Sequence, residues 1–161
     1  MIENEINLSH AISPKSTSKP FVREKKFCKC TKLLIVDDDS GIRMILKHHA
    51  MSMSIEFDEA DNGYIALQKV RDKIQNDCCQ FYSLILTDYY MPEVDGVKMS
   101  IQVKEMLSLY PHNPTKIVLV SGLSKEERDY ICGLPNNPIE MIESKPLFKN
   151  RFIEIVNKYI L

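Results

Sequence analysis

The chain has 161 residues, 44% of them apolar and 27% charged, with a net charge of −1. That is long enough for one domain with a real core and ordinary in composition for a globular protein. The balanced charge gives no reason to look for a nucleic-acid-binding body, and no apolar run approaches the roughly 18 residues needed to cross a bilayer.

Residues 1–30 hold six Lys/Arg against three Glu and are rich in Ser, Lys, Pro and Asn. They read as a flexible leader or linker, and they lack the basic start and long apolar stretch of a signal peptide. Residues 31–161 carry 15 Lys/Arg against 19 acids and are expected to form the single folded domain. The five cysteines include no Cys-x-x-Cys. Cys28-Lys-Cys30 could supply half a zinc site, but no second half is present, so reduced thiols in a cytoplasmic protein are expected.

From residue 32 onward two hydrophobic periods alternate. Residues 32–37 read as a buried strand, and Ile42, Ile45, Leu46 and His49 mark a helical face behind it. A short strand is predicted at 55–59, then a helix with Leu67, Val70 and Ile74 inward. "FYSLILTD", 81–88, is the clearest strand, nearly continuous in apolar residues as a strand covered on both faces should be. The turn "YYMPEVDG" follows, and a helix over 96–109 carries Val103, Met106, Leu107 and Tyr110 on one side. Residues 116–121 form another buried strand. A short helix is predicted at 124–132, with Ser124 as its cap and Glu126 and Glu127 in its first turn. A weak strand at 139–143 and a last helix marked by Phe152, Ile155, Val156 and Tyr159 complete the pattern. Five β-α units predict an α/β fold, an open parallel sheet with helices on both faces.

In such sheets ligands bind at the carboxyl ends of the strands. Those ends carry Asp37, Asp38 and Asp39, then Asp88, then Ser121 with Gly122, then Lys145 with Pro146. Adjacent carboxylates repel by about 4 kcal/mol per pair at ~4 Å in an effective dielectric of ~20. A hard divalent cation among them would relieve this, and Mg²⁺ suits carboxylate and carbonyl oxygens. A hydroxyl and an ammonium are the groups to contact a phosphoryl oxygen. Asp39 and Ser40 can cap the first helix, a better reading of Asp39 than metal binding. Asp95–Gly96 needs no role beyond a turn and helix start. His10, His48, His49 and His112 show no ligand spacing; His49 is expected to be a packed residue of the first helix, and the methionines core filler.

These motifs, in this order, resemble the receiver domain of two-component response regulators. The resemblance covers residues 31–161 and implies the flavodoxin-like (βα)5 fold with strand order 2-1-3-4-5. It implies that Asp88 is the phosphoacceptor, taking a phosphoryl group from a histidine kinase or histidine phosphotransfer protein. Asp37, Asp38, Asp88 and the backbone carbonyl of Tyr90 would hold Mg²⁺. Ser121 would be the switch hydroxyl and Lys145 the phosphoryl-contacting lysine, with a cis bond before Pro146. Tyr90 and Leu123 match the positions that flank the approach of water to an aspartyl phosphate, and both are bulky. Such a chain is expected to be no turnover enzyme, to lie in the cytoplasm, to contact no nucleic acid through this domain and to have no membrane span. Two readings of its context stand open, a stand-alone receiver and the C-terminal part of a hybrid kinase.

One departure stands out: Ile142 occupies the place of the aromatic that usually moves with the switch hydroxyl. Two other readings compete. "LLIVDDDSG" offers Asp37-x-Asp39 after a strand, as haloacid-dehalogenase-type phosphatases do, although Gly41 stands where their threonine is expected. A receiver fold serving only as a binding module is the third.

Overall fold

Leu33–Val36 is a run of four apolar residues, and all four are buried because both faces of the strand they form are covered. The computed structural model describes residues 30–75 and 81–161. The leader assigned to residues 1–30 therefore lies outside the described residues except for Cys30, as do Cys28, Cys78 and Cys79.

The elements alternate without exception: β1 Leu33–Val36, α1 Ser40–Ser52, β2 Phe57–Ala60, α2 Gly63–Ile74, β3 Leu84–Thr87, α3 Gly96–Leu107, β4 Lys116–Val120, α4 Lys125–Cys132, β5 Met141–Glu143 and α5 Lys149–Tyr159. The strands form one parallel sheet in the order β2-β1-β3-β4-β5, the predicted fold class and strand order. Side chains alternate across it, as a strand's twofold period demands. Leu33, Ile35, Leu84, Leu86, Val118 and Val120 face α1 and α5, where Leu46, Ala50, Phe152, Ile155 and Val156 meet them. Leu34, Val36, Ile85 and Ile117 face α2 and α3, against Ala66, Leu67, Val70, Met99 and Val103. A smaller cluster of Val97, Leu119 and Ile131 seats α4. His49 lies on the covered side of α1, its ring 5.5 Å from that of Phe152.

Several boundaries shift from the sequence reading, each for a local reason. β2 begins at Phe57 rather than 55: the Ile55 amide instead closes the end of α1 on the Ala50 carbonyl, while its side chain still joins the α1/α5 cluster. β3 is shorter than 81–88. Tyr82 is buried and donates its hydroxyl to Asp58 at 2.6 Å, outside the strand proper. α3 stops at Leu107, where the Tyr110 amide bonds the Leu107 carbonyl. Ser124 caps α4 as predicted, in a reciprocal box with Glu127. Of the described cysteines, Cys132 is free and exposed, whereas Cys30 is disulfide-bonded, so the expectation of reduced thiols fails at Cys30. Among the described residues no helix is long and apolar enough to cross a membrane.

Candidate functional site

Strand register brings the candidate residues together. Val36 of β1 lies beside Thr87 of β3, so the next residues, Asp37 and Asp88, emerge side by side. Thr87 pairs with Leu119 of β4, and Val120 with Glu143 of β5. Ser121 and Lys145 thus leave the same edge of the sheet. The Lys145 Nζ reaches both carboxylates, 2.7 Å from Asp37 Oδ2 and 2.8 Å from Asp88 Oδ2. The Asp37 and Asp88 side chains are only 2% and 7% exposed, and Lys145 is 21% exposed. The peptide bond between Lys145 and Pro146 is cis.

Each carboxylate has a further donor. Asp37 Oδ1 accepts from the Asp39 amide at 2.9 Å, and Asp88 Oδ1 from the Tyr89 amide at 2.6 Å. Burial pushes the Asp37 carboxyl above the ordinary carboxylate range, against the pull of Lys145 and the Asp39 amide. Burial works against the Lys145 charge too, but the two carboxylates outweigh it and hold the ammonium above its usual value. Asp38 is exposed. Oxygens of Asp37, Asp38 and Asp88 lie within 4.8 Å of one another. Three carboxylates against one shared ammonium form a hard-oxygen, negatively charged donor set, and a small divalent cation fits it.

Asp39 is not part of this cluster. Its Oδ1 accepts from the Gly41 and Ile42 amides at 2.7 and 3.2 Å, capping α1. That commitment disfavours the phosphatase reading, which needs Asp39 beside Asp37. Ser121 is 1% exposed, and its Oγ has no hydrogen-bond partner among the described residues. A Cβ added to Gly122 would meet nothing within 4 Å, so the backbone beside that hydroxyl stays open. Leu123 is half-buried against the Val97–Leu119–Ile131 cluster, together with Tyr89 and Ile142. Ile142 is therefore an apolar packing residue with no ring to swing.

Three features escaped the sequence reading. Arg43, counted as neither core nor site, donates from Nη1 to the Asp37 and Asp38 carbonyls at 2.7 and 3.3 Å. Its Nε meets Glu59 of β2 at 3.3 Å, and Lys47 meets the same carboxylate at 2.9 Å. An arginine one turn into the helix after an acidic run was the available signal. Gly96 is the second: a Cβ there would stand 1.9 Å from the Asp88 carbonyl oxygen. The glycine of "VDG" is thus a condition for the loop that carries Asp88 to fold back on itself. Third, the Tyr90 hydroxyl bonds Glu127 of α4.

Residues 33–157 match the model of the response regulator receiver domain. The transcriptional regulatory protein SrrA of Staphylococcus aureus is 32% identical over 95 residues, covering 59% of this chain and 34% of that protein. The chain thus spans about a third of the length of the curated relatives it matches. Among solved structures, the Vibrio cholerae chemotaxis protein CheY4 superimposes with a TM-score of 0.64 at 21% identity, over 81% of this chain and 98% of that one. The receiver domain of the histidine kinase CKI1 from Arabidopsis thaliana, complexed with Mg²⁺, gives 0.66 at 23% identity, over 80% and 90%.

Proposed function

The chain belongs to the response regulator receiver family, and from that membership we propose that it accepts a phosphoryl group on Asp88 from a phosphohistidine of a histidine kinase or phosphotransfer protein. The observation that carries the assignment is the shared ion pair. One ammonium lies between two buried carboxylates, and of the two Asp88 follows the central strand β3.

The transfer forms a bond between an Asp88 carboxylate oxygen and phosphorus. The phosphorus–nitrogen bond of the donor breaks, and the nitrogen keeps the electron pair. Asp37, Asp38, Asp88 and the Tyr90 backbone carbonyl are the residues we assign to Mg²⁺, which when bound supplies positive charge against the phosphoryl oxygens. Lys145 can turn from Asp88 to a phosphoryl oxygen without leaving Asp37. The buried Ser121 hydroxyl supports the switch role. Left without a partner it costs about 1–3 kcal/mol, and an aspartyl phosphate, with about two negative charges and three acceptor oxygens, would give it one. Movement of Ser121 toward the phosphoryl group would then carry the 121–124 segment and α4 with it. Tyr90 and Leu123 lengthen the lifetime of the phosphorylated state by crowding the approach of water. We read the protein as a cytoplasmic phosphoacceptor that assists its own phosphorylation, not as a turnover enzyme, with residues 31–161 as its receiver domain.

The test is incubation with acetyl phosphate and Mg²⁺ followed by intact mass. Wild type should gain one phosphoryl group and Asp88→Asn none. Equal labelling of Asp88→Asn would reject the assignment.

A further inference from the structure

Glu127 is gripped by two elements at once, through its two oxygens. Oε2 accepts from the Ser124 amide at 2.8 Å, which closes the cap of α4. Oε1 accepts from the Tyr90 hydroxyl. Tyr90 belongs to the loop that follows Asp88, so this bond crosses from the β3–α3 loop to the helix beyond Ser121. The Tyr90 ring also has an aromatic neighbour. It stands edge-on to Tyr89, centroids 4.7 Å apart and planes at 78°, and Tyr89 packs on the Val97–Leu119–Ile131 cluster. The side chain is nonetheless 53% exposed, so the apolar core does not hold it in place; the bond to Glu127 does. The Tyr90 phenol is the donor in this bond and the Glu127 carboxylate the acceptor.

We propose that Glu127 is a positioning residue that acts through Tyr90: it straps the phenol across the mouth of the Asp88 site and so slows hydrolysis of the aspartyl phosphate. The inference rests on Asp88 being the acceptor. Hydrolysis requires a water oxygen to bond phosphorus as the bond to the Asp88 oxygen breaks, releasing inorganic phosphate and a proton and returning the carboxylate. The attacking oxygen must come within about 3–3.5 Å in near-linear approach. An untethered tyrosine would sample other rotamers and vacate that approach for part of the time. A tethered one keeps the space filled.

The experiment measures decay of phosphorylated full-length protein after removal of acetyl phosphate, by intact mass. Glu127→Ala and Tyr90→Phe should each speed decay about three- to tenfold, and the double variant should be no faster than the faster single one, because both remove the same bond. Glu127→Gln keeps an acceptor oxygen and should stay within about twofold of wild type. Ser124→Ala removes the side-chain half of the α4 cap but leaves the amide that Glu127 accepts from, and should also decay like wild type. Unchanged decay in Glu127→Ala, multiplying effects in the double variant, or equal acceleration by Ser124→Ala would each overturn the strap. Wild type that gains no phosphoryl mass at all would overturn the acceptor assignment, and the strap's role with it.

Discussion

Replacing Lys145 with methionine keeps the bulk of the side chain and deletes the cation that, among the described residues, Asp37 and Asp88 share. The two carboxylates, 2% and 7% exposed, would then face each other with oxygens within 4.8 Å. At an effective dielectric of ~20 that repulsion is about 3.5 kcal/mol, in line with the roughly 3–5 kcal/mol lost when a buried ion pair is broken from one side. Against a typical domain stability of about 5–15 kcal/mol, the expected loss of about 3 kcal/mol is easily read from urea unfolding in metal-free buffer at neutral pH. The pH dependence supplies a second check. Burial already raises the Asp37 carboxyl, and Lys145 is the main group opposing it, so without the lysine it rises further. A carboxyl raised in the folded state binds more protons folded than unfolded. Its penalty is fully present above the folded pKa and is relieved as pH falls toward the unfolded value of about 3.9. The deficit of Lys145→Met against wild type should therefore narrow from about pH 7 to about pH 4.5. Millimolar Mg²⁺ should narrow it as well, because the variant, with no ammonium on Asp37 and Asp88, binds the cation more tightly than wild type does. A neutral-pH deficit below about 1 kcal/mol, or one unaffected by acid, would refute the electrostatic reasoning.

Asp38 is exposed and makes no pair with Lys145, so Asp38→Ala should weaken Mg²⁺ at least tenfold, about 1.4 kcal/mol, in calorimetric titration while leaving the urea midpoint in place; retained affinity would move the metal elsewhere. Gly96→Ala would drive a Cβ to 1.9 Å from the Asp88 carbonyl, and a loss of about 2–3 kcal/mol in thermal or urea unfolding is expected, with wild-type stability contradicting the close approach. The Tyr90→Asn, Leu123→Glu double variant should lose its phosphoryl group about tenfold faster, a barrier change of about 1.4 kcal/mol; decay no faster than wild type would show that neither side chain screens the phosphorus.

The strands were legible where burial on both faces writes a continuous apolar run, as in Leu33–Val36 and Leu84–Thr87. Legibility fell where one residue serves another element. Ile55 looks like the start of a strand because it is apolar, but its amide closes α1, and only the register of Phe57 against Leu33 reveals it. The carboxylates, hydroxyl and lysine could be found because parallel strands deliver their C-terminal residues to one edge, a rule that needs only the order of elements. Asp39 as a cap followed from local chemistry and stands in the structure. Arg43 could not be found by hydrophobic period, since it satisfies loop carbonyls and Glu59, not the core. The Tyr90–Glu127 bond joins residues 37 positions apart through a contact that no local pattern encodes. Ile142 was legible as a departure, but only packing shows that it joins the α4 cluster.

The β3–α3 loop is held at both of its flanks by missing side chains. A Cβ on Gly96 would strike the Asp88 carbonyl, and one on Gly63, at the start of α2, would stand 2.5 Å from the Val94 carbonyl. Within the loop the Val94 amide bonds the Pro92 carbonyl and the Gly96 amide the Tyr89 carbonyl, so no slack is left. For anyone wishing to graft a fluorescent reporter or a peptide tag onto this protein, that span is closed territory: an added residue would be felt as a displaced carboxylate. The exposed turn at Pro135–Asn136, past the C-terminal end of α4, is bounded by no such glycine contact. It is a place where extra chain should be borne with little disturbance to the acidic edge.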